Sequence, residues 1–301
     1  MVFAEGERIR IVAKRHRNYS LFTIHYSLFT VHCSLSKETM FIEHNENGLI
    51  YMASDILPFR HAFTTRFGGV SSGQFESLNL LSDKGDAPEN VRENYRRVCA
   101  LFGVSEDDCA VTKQVHGNTV RIVTAADRHK CLTPVPYEAD GIVTAERGLP
   151  IFCFTADCVP VLLGDPINGV VGAVHCGWRS SVADILGEAL EKMASLGAKP
   201  ESVFAAIGPA IGKCCFETDD DVPEAVSVWL GGGTEGLFRK RADGKTMVDL
   251  RGANARRLVQ LGVPAAQIDI SSECTFCSHD KYWSHRYTKG RRGGQASIIC
   301  L

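Results

Sequence analysis

At 301 residues with 45% hydrophobic side chains, the chain is long enough to bury a large core as one α/β domain or two smaller ones, and one domain is the simpler reading. Its 33 Lys and Arg nearly balance 35 Asp and Glu, for a formal charge of −2, which gives no sign of a polyanion-binding surface and makes nucleic acid a poor partner. No apolar stretch approaches the roughly 20 residues that cross a bilayer, so no membrane attachment is expected.

The first 39 residues differ from the rest. "YSLFTIH" at 19–25 is followed at once by "YSLFTVH" at 26–32, a seven-residue repeat without the turn and capping residues found downstream. Glu5 and Glu7 precede any apolar run, which fits a secretory signal poorly. Residues 1–39 are therefore expected to be a disordered leader or an upstream start read into the gene. Residues 40–301 are expected to form a single catalytic domain.

From Phe41 onward short β-type runs alternate with a few amphipathic helices. Pro88 opens a helix expected over 88–102, with Val91, Tyr95, Val98 and Phe102 on one face and Gly103 behind it. "TVRIVT" (119–124), "GIVTA" (141–145), "IFCFTA" (151–156), "VPVLLGD" (159–165) and "GVVGAVH" (169–175) read as strands, several apolar on both faces and hence internal. Pro160 is expected to interrupt an ordinary central strand. A second helix is expected over 181–196, carrying Ile185, Leu186, Ala189, Leu190 and Met193 on one stripe. "VFAAIG" (203–208), a third helix near 250–261, "IDIS" (268–271) and "ASIICL" (296–301) complete the chain. Without a regular strand-helix alternation, the pattern predicts an α/β (α+β) fold of mixed β-sheets with peripheral helices rather than a doubly wound sheet.

Chemistry gathers at three places. Cys158 follows Asp157 where "IFCFTA" ends. His175 closes the second arm of a strand, turn, strand unit that turns between Asp165 and Gly169, so the outer ends of its two strands can meet. Side chains alternate along a strand, so His175 and Cys176 face opposite ways, and Cys176 is expected in the core. His116 in "KQVHGNTV" ends another apolar run before a Gly117-Asn118 turn. One thiolate and two imidazoles suit Zn²⁺, and three protein ligands leave a fourth position for water or substrate, the mark of a catalytic site. Lone core histidines and buried cysteines are the commoner fate of such residues, so spacing alone leaves both readings open.

The 12 cysteines are scattered, often within apolar runs, as suits a reducing cytoplasm. "CTFCSH" offers Cys274, Cys277 and His279, but Cys214-Cys215 does not supply a second pair at zinc-finger spacing. A structural role is expected there. The "KGRRGG" run at 289–294 could reach a phosphate, with a solvated loop as its default.

The motifs occur in a recognisable order: "HAFTTRFGGVSSG" (61–73), "SLNL" (77–80), "GDAPENVRENYRRV" (85–98), "QVHG" (114–117), "ADGIVT" (139–144), "ADCVPVLLGDP" (156–166), "VHCGWR" (174–179), "IGPAIG" (207–212), "DLRGAN" (249–254) and "SECTFC" (272–277). On these the chain, from about Ala62 to its end, resembles the YfiH-like family, also called the polyphenol oxidase or laccase-domain family. The resemblance implies a zinc-dependent enzyme that phosphorolyses adenosine, inosine and methylthioadenosine and deaminates adenosine, or on an older reading a copper oxidase of phenols. It implies His116, Cys158 and His175 as metal ligands, with copper as the alternative ion. Relatives look like HAGWR where this chain has HCGWR, and "SHRYTKGRRGG" departs from their usual tail.

Phosphorolysis needs donors for an anion. Arg66 in "TTRFGG", where Gly68 and Gly69 let backbone approach a ligand closely, is the first candidate and Arg179 the second. Gln114, on the face of His116, is a candidate for contact with substrate, and Asp157 and Asp140 are candidates for moving protons or orienting a ligand. The expected partners are purine nucleosides and phosphate, in a cytoplasmic monomer or small homo-oligomer. Copper oxidation would want many clustered histidines where this chain has 10. Metal-free thiol catalysis by Cys158 and His175, and a binding protein whose metal only stabilises the fold, are the other readings.

Overall fold

A computed structural model describes residues 41–301. The expectations for residues 1–39 lie outside the described residues. In chain order the elements are β1 (Phe41–Glu46), β2 (Leu49–Ser54), β3 (Arg60–Thr64), α1 (Pro88–Ala100), β4 (Val120–Ile122), β5 (Gly141–Thr144), β6 (Ile151–Thr155), β7 (Val159–Asp165), β8 (Val170–Cys176), α2 (Trp178–Val182), α3 (Ile185–Ser195), β9 (Phe204–Ile207), β10 (Glu217–Thr218), α4 (Asp221–Leu230), β11 (Phe238–Lys240), β12 (Thr246–Val248), α5 (Leu250–Gln260), β13 (Ile268–Ile270), α6 (His285–Thr288) and β14 (Gln295–Cys300). They build a mixed α/β fold of several sheets with few helices.

A five-stranded antiparallel sheet, β1-β2-β3-β14-β6, lies against a six-stranded mixed sheet, β13-β9-β7-β8-β5-β4, and a small sheet β10-β12-β11 stands apart. The layering follows from strand alternation. Along β6 and β14, Phe152, Ala296 and Ile298 face outward to join Val91, Tyr95 and Val98 of α1. Ile151, Cys153 and Ile299 face inward, where they meet Leu162, Val171 and Ala173 of the second sheet. The opposite face of β7 and β8, with Val159, Val161, Leu163, Val170, Val174 and Cys176, is covered by residues of α3, α4 and α5. Helices thus cover both outer faces of a two-sheet sandwich, and the central strands read as continuous apolar runs because both their faces are buried.

Two expectations need correction. The helix expected over 181–196 is two helices, broken at Asp184, which takes a left-handed backbone (φ 62). The Asp184 carboxylate is held from outside the segment by Arg257 at 2.7 and 2.6 Å and by Trp229 Nε1 at 3.0 Å, partners that a local pattern does not contain. Pro160 does not interrupt its strand. It is the second residue of β7, opposite His175, and its carbonyl accepts from Gly208 N at 2.9 Å, just past the end of β9. A proline is tolerated there because the missing N–H falls where the neighbouring strand has run out.

Candidate metal centre

The hairpin of β7 and β8 is closed by Asp165, whose carboxylate accepts Ile167 N and Asn168 N at 2.9 and 3.0 Å. It also accepts the Ser202 hydroxyl at 2.6 Å. At its far end the register sets Val159 opposite Cys176 and Pro160 opposite His175, so the thiol of Cys158 and the ring of His175 meet. His116 arrives from a separate loop. The donor atoms of His116, Cys158 and His175 all lie within 4.8 Å of one another, with Cys158 Sγ 3.9 Å from His116 Nε2 and the two imidazoles edge to face at 4.8 Å between centroids.

Asp140, 1% exposed, organises this meeting. Its Oδ2 accepts Val115 N at 3.1 Å and Gly117 N at 2.8 Å. Its Oδ1 accepts His116 N at 2.9 Å and sits 2.8 Å from His175 Nδ1. Three successive backbone N–H groups pointing at one carboxylate hold His116 in a left-handed conformation (φ 62), which costs a non-glycine residue on the order of 1 kcal/mol or more and persists only where the surroundings impose it. The same carboxylate fixes the Nδ1 side of His175 and leaves Nε2 for the cage, the carboxylate-histidine pairing common behind metal ligands. Of the two roles expected for Asp140, the geometry matches orientation.

Gly177 closes the cage from the other side. A Cβ there would stand 3.1 Å from His116 Cδ2, 3.4 Å from Cys158 Sγ and 3.6 Å from His175 Cε1. The glycine of "HCGWR" therefore leaves room for the three donors. Cys176 points away into the core, where burial pushes its thiol well above the ordinary range.

Burial opposes the charge on Cys158, yet the His175 charge and hydrogen bonds from both imidazoles outweigh it and bring the thiol down to about 6. Burial likewise opposes protonation of His175, but Cys158 and Asp140 raise it to about 9. The pair thus favours thiolate and imidazolium, and a thiolate is the form that binds metal. One sulfur and two imidazole nitrogens, with a buried carboxylate behind one ring, fit Zn²⁺ with an open position.

The cage opens on a cavity of about 810 Å³, large enough for a nucleoside. Gln114 and Asp157 line it, but both are engaged. Gln114 pairs with Phe154, accepting its N–H at 2.6 Å and donating to its carbonyl at 2.8 Å. The Asp157 carboxylate accepts Thr275 Oγ1 and Arg286 N, each at 2.6 Å, which holds a second left-handed residue (φ 88) immediately before Cys158.

The structure does not bring the two arginines singled out in the sequence to this cavity. Arg66 donates through Nε and Nη2 to Glu76 O and through Nη1 to His279 O, and it stacks on Trp283 at 4.1 Å. It braces a turn. Arg179 lies exposed over the Trp178 ring. The arginine that does line the cavity is Arg292 of the "KGRRGG" run. Its Nη1 reaches Gly293 O at 2.8 Å, while its Nε is buried without a hydrogen-bond partner, as is Thr155 Oγ1 on the same cavity wall. His285 lines it too, its pKa lowered by burial and then by the charge of Arg292. The signal for Arg292 was a basic run next to a short strand, which by itself does not show which arginine turns inward.

Residues 60–301 match the family described as multi-copper polyphenol oxidoreductase laccase. The chain is 38% identical over 254 residues to a purine nucleoside phosphorylase of Deinococcus radiodurans, covering 84% of this chain and 94% of that one. It is 35% identical over 231 residues to the adenosine deaminase RL5 of an unidentified prokaryote, covering 75% and 87%. Its fold superposes on the crystal structure of YlmD from Geobacillus stearothermophilus with a TM-score of 0.81 at 31% identity, over 87% of this chain and 99% of that one.

Proposed function

This chain belongs to the laccase-domain, YfiH-like family, and from that premise we propose that it is a zinc-dependent purine nucleoside phosphorylase acting on adenosine, inosine and methylthioadenosine, with adenosine deaminase activity. The observation that carries the reading is the His116, Cys158 and His175 cage opening on a nucleoside-sized cavity of about 810 Å³ that Arg292 also lines.

In phosphorolysis a phosphate oxygen forms a bond to ribose C1′ as the glycosidic C–N bond breaks, the bond electrons leave with the purine, and a proton neutralises it. Arg292 holds the phosphate, since a guanidinium offers several donors to one anion. Phe154 and Trp178, on the cavity wall, give the purine apolar faces to lie on. His285, kept neutral at pH 7 by its lowered pKa, donates an N–H to a purine nitrogen as charge builds there. Asp157 and Asp140 position Cys158 and the two histidines. A zinc ion held by His116, Cys158 and His175 would supply Lewis acidity toward a substrate atom. Deamination is hydrolytic: water forms a bond to purine C6 as the bond to the amino group breaks and ammonia leaves, and it is assigned to the same cavity.

A second reading has an observation in its favour. Cys158, His175 and Asp140 stand in the order thiol, imidazole, carboxylate, as metal-free thiol catalysis requires. In that reading His116 would only help to hold Cys158 as a thiolate. Copper oxidation has less support, because the cage contains two histidines and one cysteine rather than the histidine clusters of several copper centres.

The test is product analysis. Purified protein incubated with adenosine and phosphate should give adenine and ribose 1-phosphate, and with adenosine alone inosine, while His116→Ala abolishes both. A protein that leaves all three nucleosides untouched with phosphate present, yet oxidises phenols, would overturn the proposal.

A further inference from the structure

A second cluster of metal-binding side chains lies outside the His116, Cys158 and His175 cage: Cys214 and Cys215 from one turn, and Cys274 and Cys277 from another. Sequence reasoning dismissed this combination because an adjacent pair and a C-x-x-C pair do not match zinc-finger spacing. The fold brings them together anyway. Cys277 Sγ is 3.4 Å from Cys215 Sγ and 3.6 Å from Cys214 Sγ, and all four sulfurs lie within 4.8 Å of one another. His279, the other residue expected in this group, stacks on Tyr287 at 3.5 Å instead.

We propose that Cys214, Cys215, Cys274 and Cys277 form a structural zinc site, a closed four-thiolate centre separate from the catalytic one. Four observations converge on it. Zinc bound to four thiolates at about 2.3 Å in a tetrahedron separates neighbouring sulfurs by about 3.8 Å, close to the spacings here, whereas a disulfide needs about 2.05 Å. Both turns are preset. Cys215 N and Phe216 N each donate to Gly212 O at 2.9 Å, and Ser278 N donates to Cys274 O at 2.9 Å.

A backbone N–H group also points at sulfur. Gly212 N donates to Cys274 Sγ at 3.2 Å. Such N–H···S contacts are the outer support of thiolate metal sites.

The fourth observation is Arg251. Its guanidinium is held beside Cys274 and Cys214 by the carbonyls of Ser271 and Glu273, and a half-buried positive charge offsets the net negative charge of a zinc tetrathiolate. All four positions would be filled by protein, leaving none for substrate, which makes the site structural.

Its consequence reaches the cavity. Cys214 and Cys215 lie between the lining residues Ile211 and Phe216. Thr275, next to Cys274, donates its hydroxyl to Asp157 and its N–H to Ala210 O at 3.1 Å. An ion here ties together the two turns that hold Asp157, and with it Cys158.

Full-length protein prepared under reducing conditions should contain two zinc ions per chain by elemental analysis, one for each donor group. A His116→Ala, Cys158→Ser variant should retain one. Replacing that retained zinc with Co²⁺ should give the intense thiolate-to-cobalt charge-transfer absorption of a four-sulfur centre. In the wild-type chain, zinc should slow iodoacetamide labelling of Cys214, Cys215 and Cys277 at least tenfold by peptide mapping, and a strong chelator should restore it. That measurement needs no variant to fold. A zinc-free His116→Ala, Cys158→Ser variant, labelling rates that ignore zinc, iron or copper at the four sulfurs, or a Cys215-Cys277 disulfide in the reduced preparation would each overturn the assignment.

Discussion

Replacing Asp140 with asparagine changes one oxygen to an amide nitrogen and removes a charge, with almost no change in volume. In the wild-type chain each carboxylate oxygen serves two donors, Val115 N and Gly117 N on one side and His116 N and His175 Nδ1 on the other. An asparagine must turn its NH₂ toward one pair, so two donors, part-buried in the loop and buried at His175, would face a donor. At about 1–3 kcal/mol for each unsatisfied group, the loss is roughly 2–6 kcal/mol, less whatever the loop relieves by letting His116 leave its left-handed conformation. If the amide turns toward His175, the ring loses the acceptor that fixes its orientation, and loss of such a supporting group lowers metal affinity by roughly 10–100-fold. The assays are zinc affinity by competition with a chromophoric chelator and stability by urea unfolding, both at pH 7. An Asp140→Asn protein that matches the wild type in both would refute the assignment of Asp140 as the organiser of the cage.

Gly177→Ala would place a methyl among the three donor side chains, so zinc affinity at this centre should fall at least tenfold while far-ultraviolet circular dichroism stays unchanged. Arg292→Gln should raise the KM for phosphate at least tenfold in steady-state kinetics, whereas Arg66→Ala, which loses bonds to Glu76 O and His279 O, should lower Tm and leave that KM within twofold; the reverse outcome would return the phosphate to Arg66. Asp165 is held down to about 2: burial raises it, but Ser202, Asn168 and the Lys199 N–H outweigh burial. A depressed carboxylate stabilises the fold above its unfolded pKa of about 3.9 and loses that contribution as pH falls toward 2, on the order of 2 kcal/mol in all. Urea unfolding should therefore show Asp165→Asn to be less stable than wild type at pH 7, with a gap that narrows by pH 3, and a pH-independent gap would contradict the assignment.

Local order in the chain made the hairpin that carries Cys158 and His175 legible, because apolar runs of matching length flank a turn built on Asp165 and Gly169, and alternation alone sends Cys176 to the core. The family and its mixed-sheet fold were legible from the spacing of several motifs together. What stayed hidden depends on partners distant in sequence. Asp184 breaks a well-patterned helix because Arg257 and Trp229 reach it from other elements. Asp140 was legible as a candidate for orienting a ligand, but the three successive N–H groups of the His116 loop that wrap around it were not. Arg66 and Arg292 sit in equally plausible glycine-rich contexts, and only the fold shows that the first faces backbone carbonyls and the second a cavity. The four cysteines defied spacing rules because the rules describe short ribbons, while here two turns are held together by the surrounding sandwich.

The central claim is that phosphorolysis depends on an ion held by His116, Cys158 and His175. The most direct measurement is adenine release from adenosine and phosphate before chelation, after it, and after stoichiometric zinc is restored, with a metal-replete Cys158→Ser protein alongside. The account predicts activity that disappears on chelation, returns with zinc and is absent in the variant. Full phosphorolysis by the chelated, metal-free protein would contradict it.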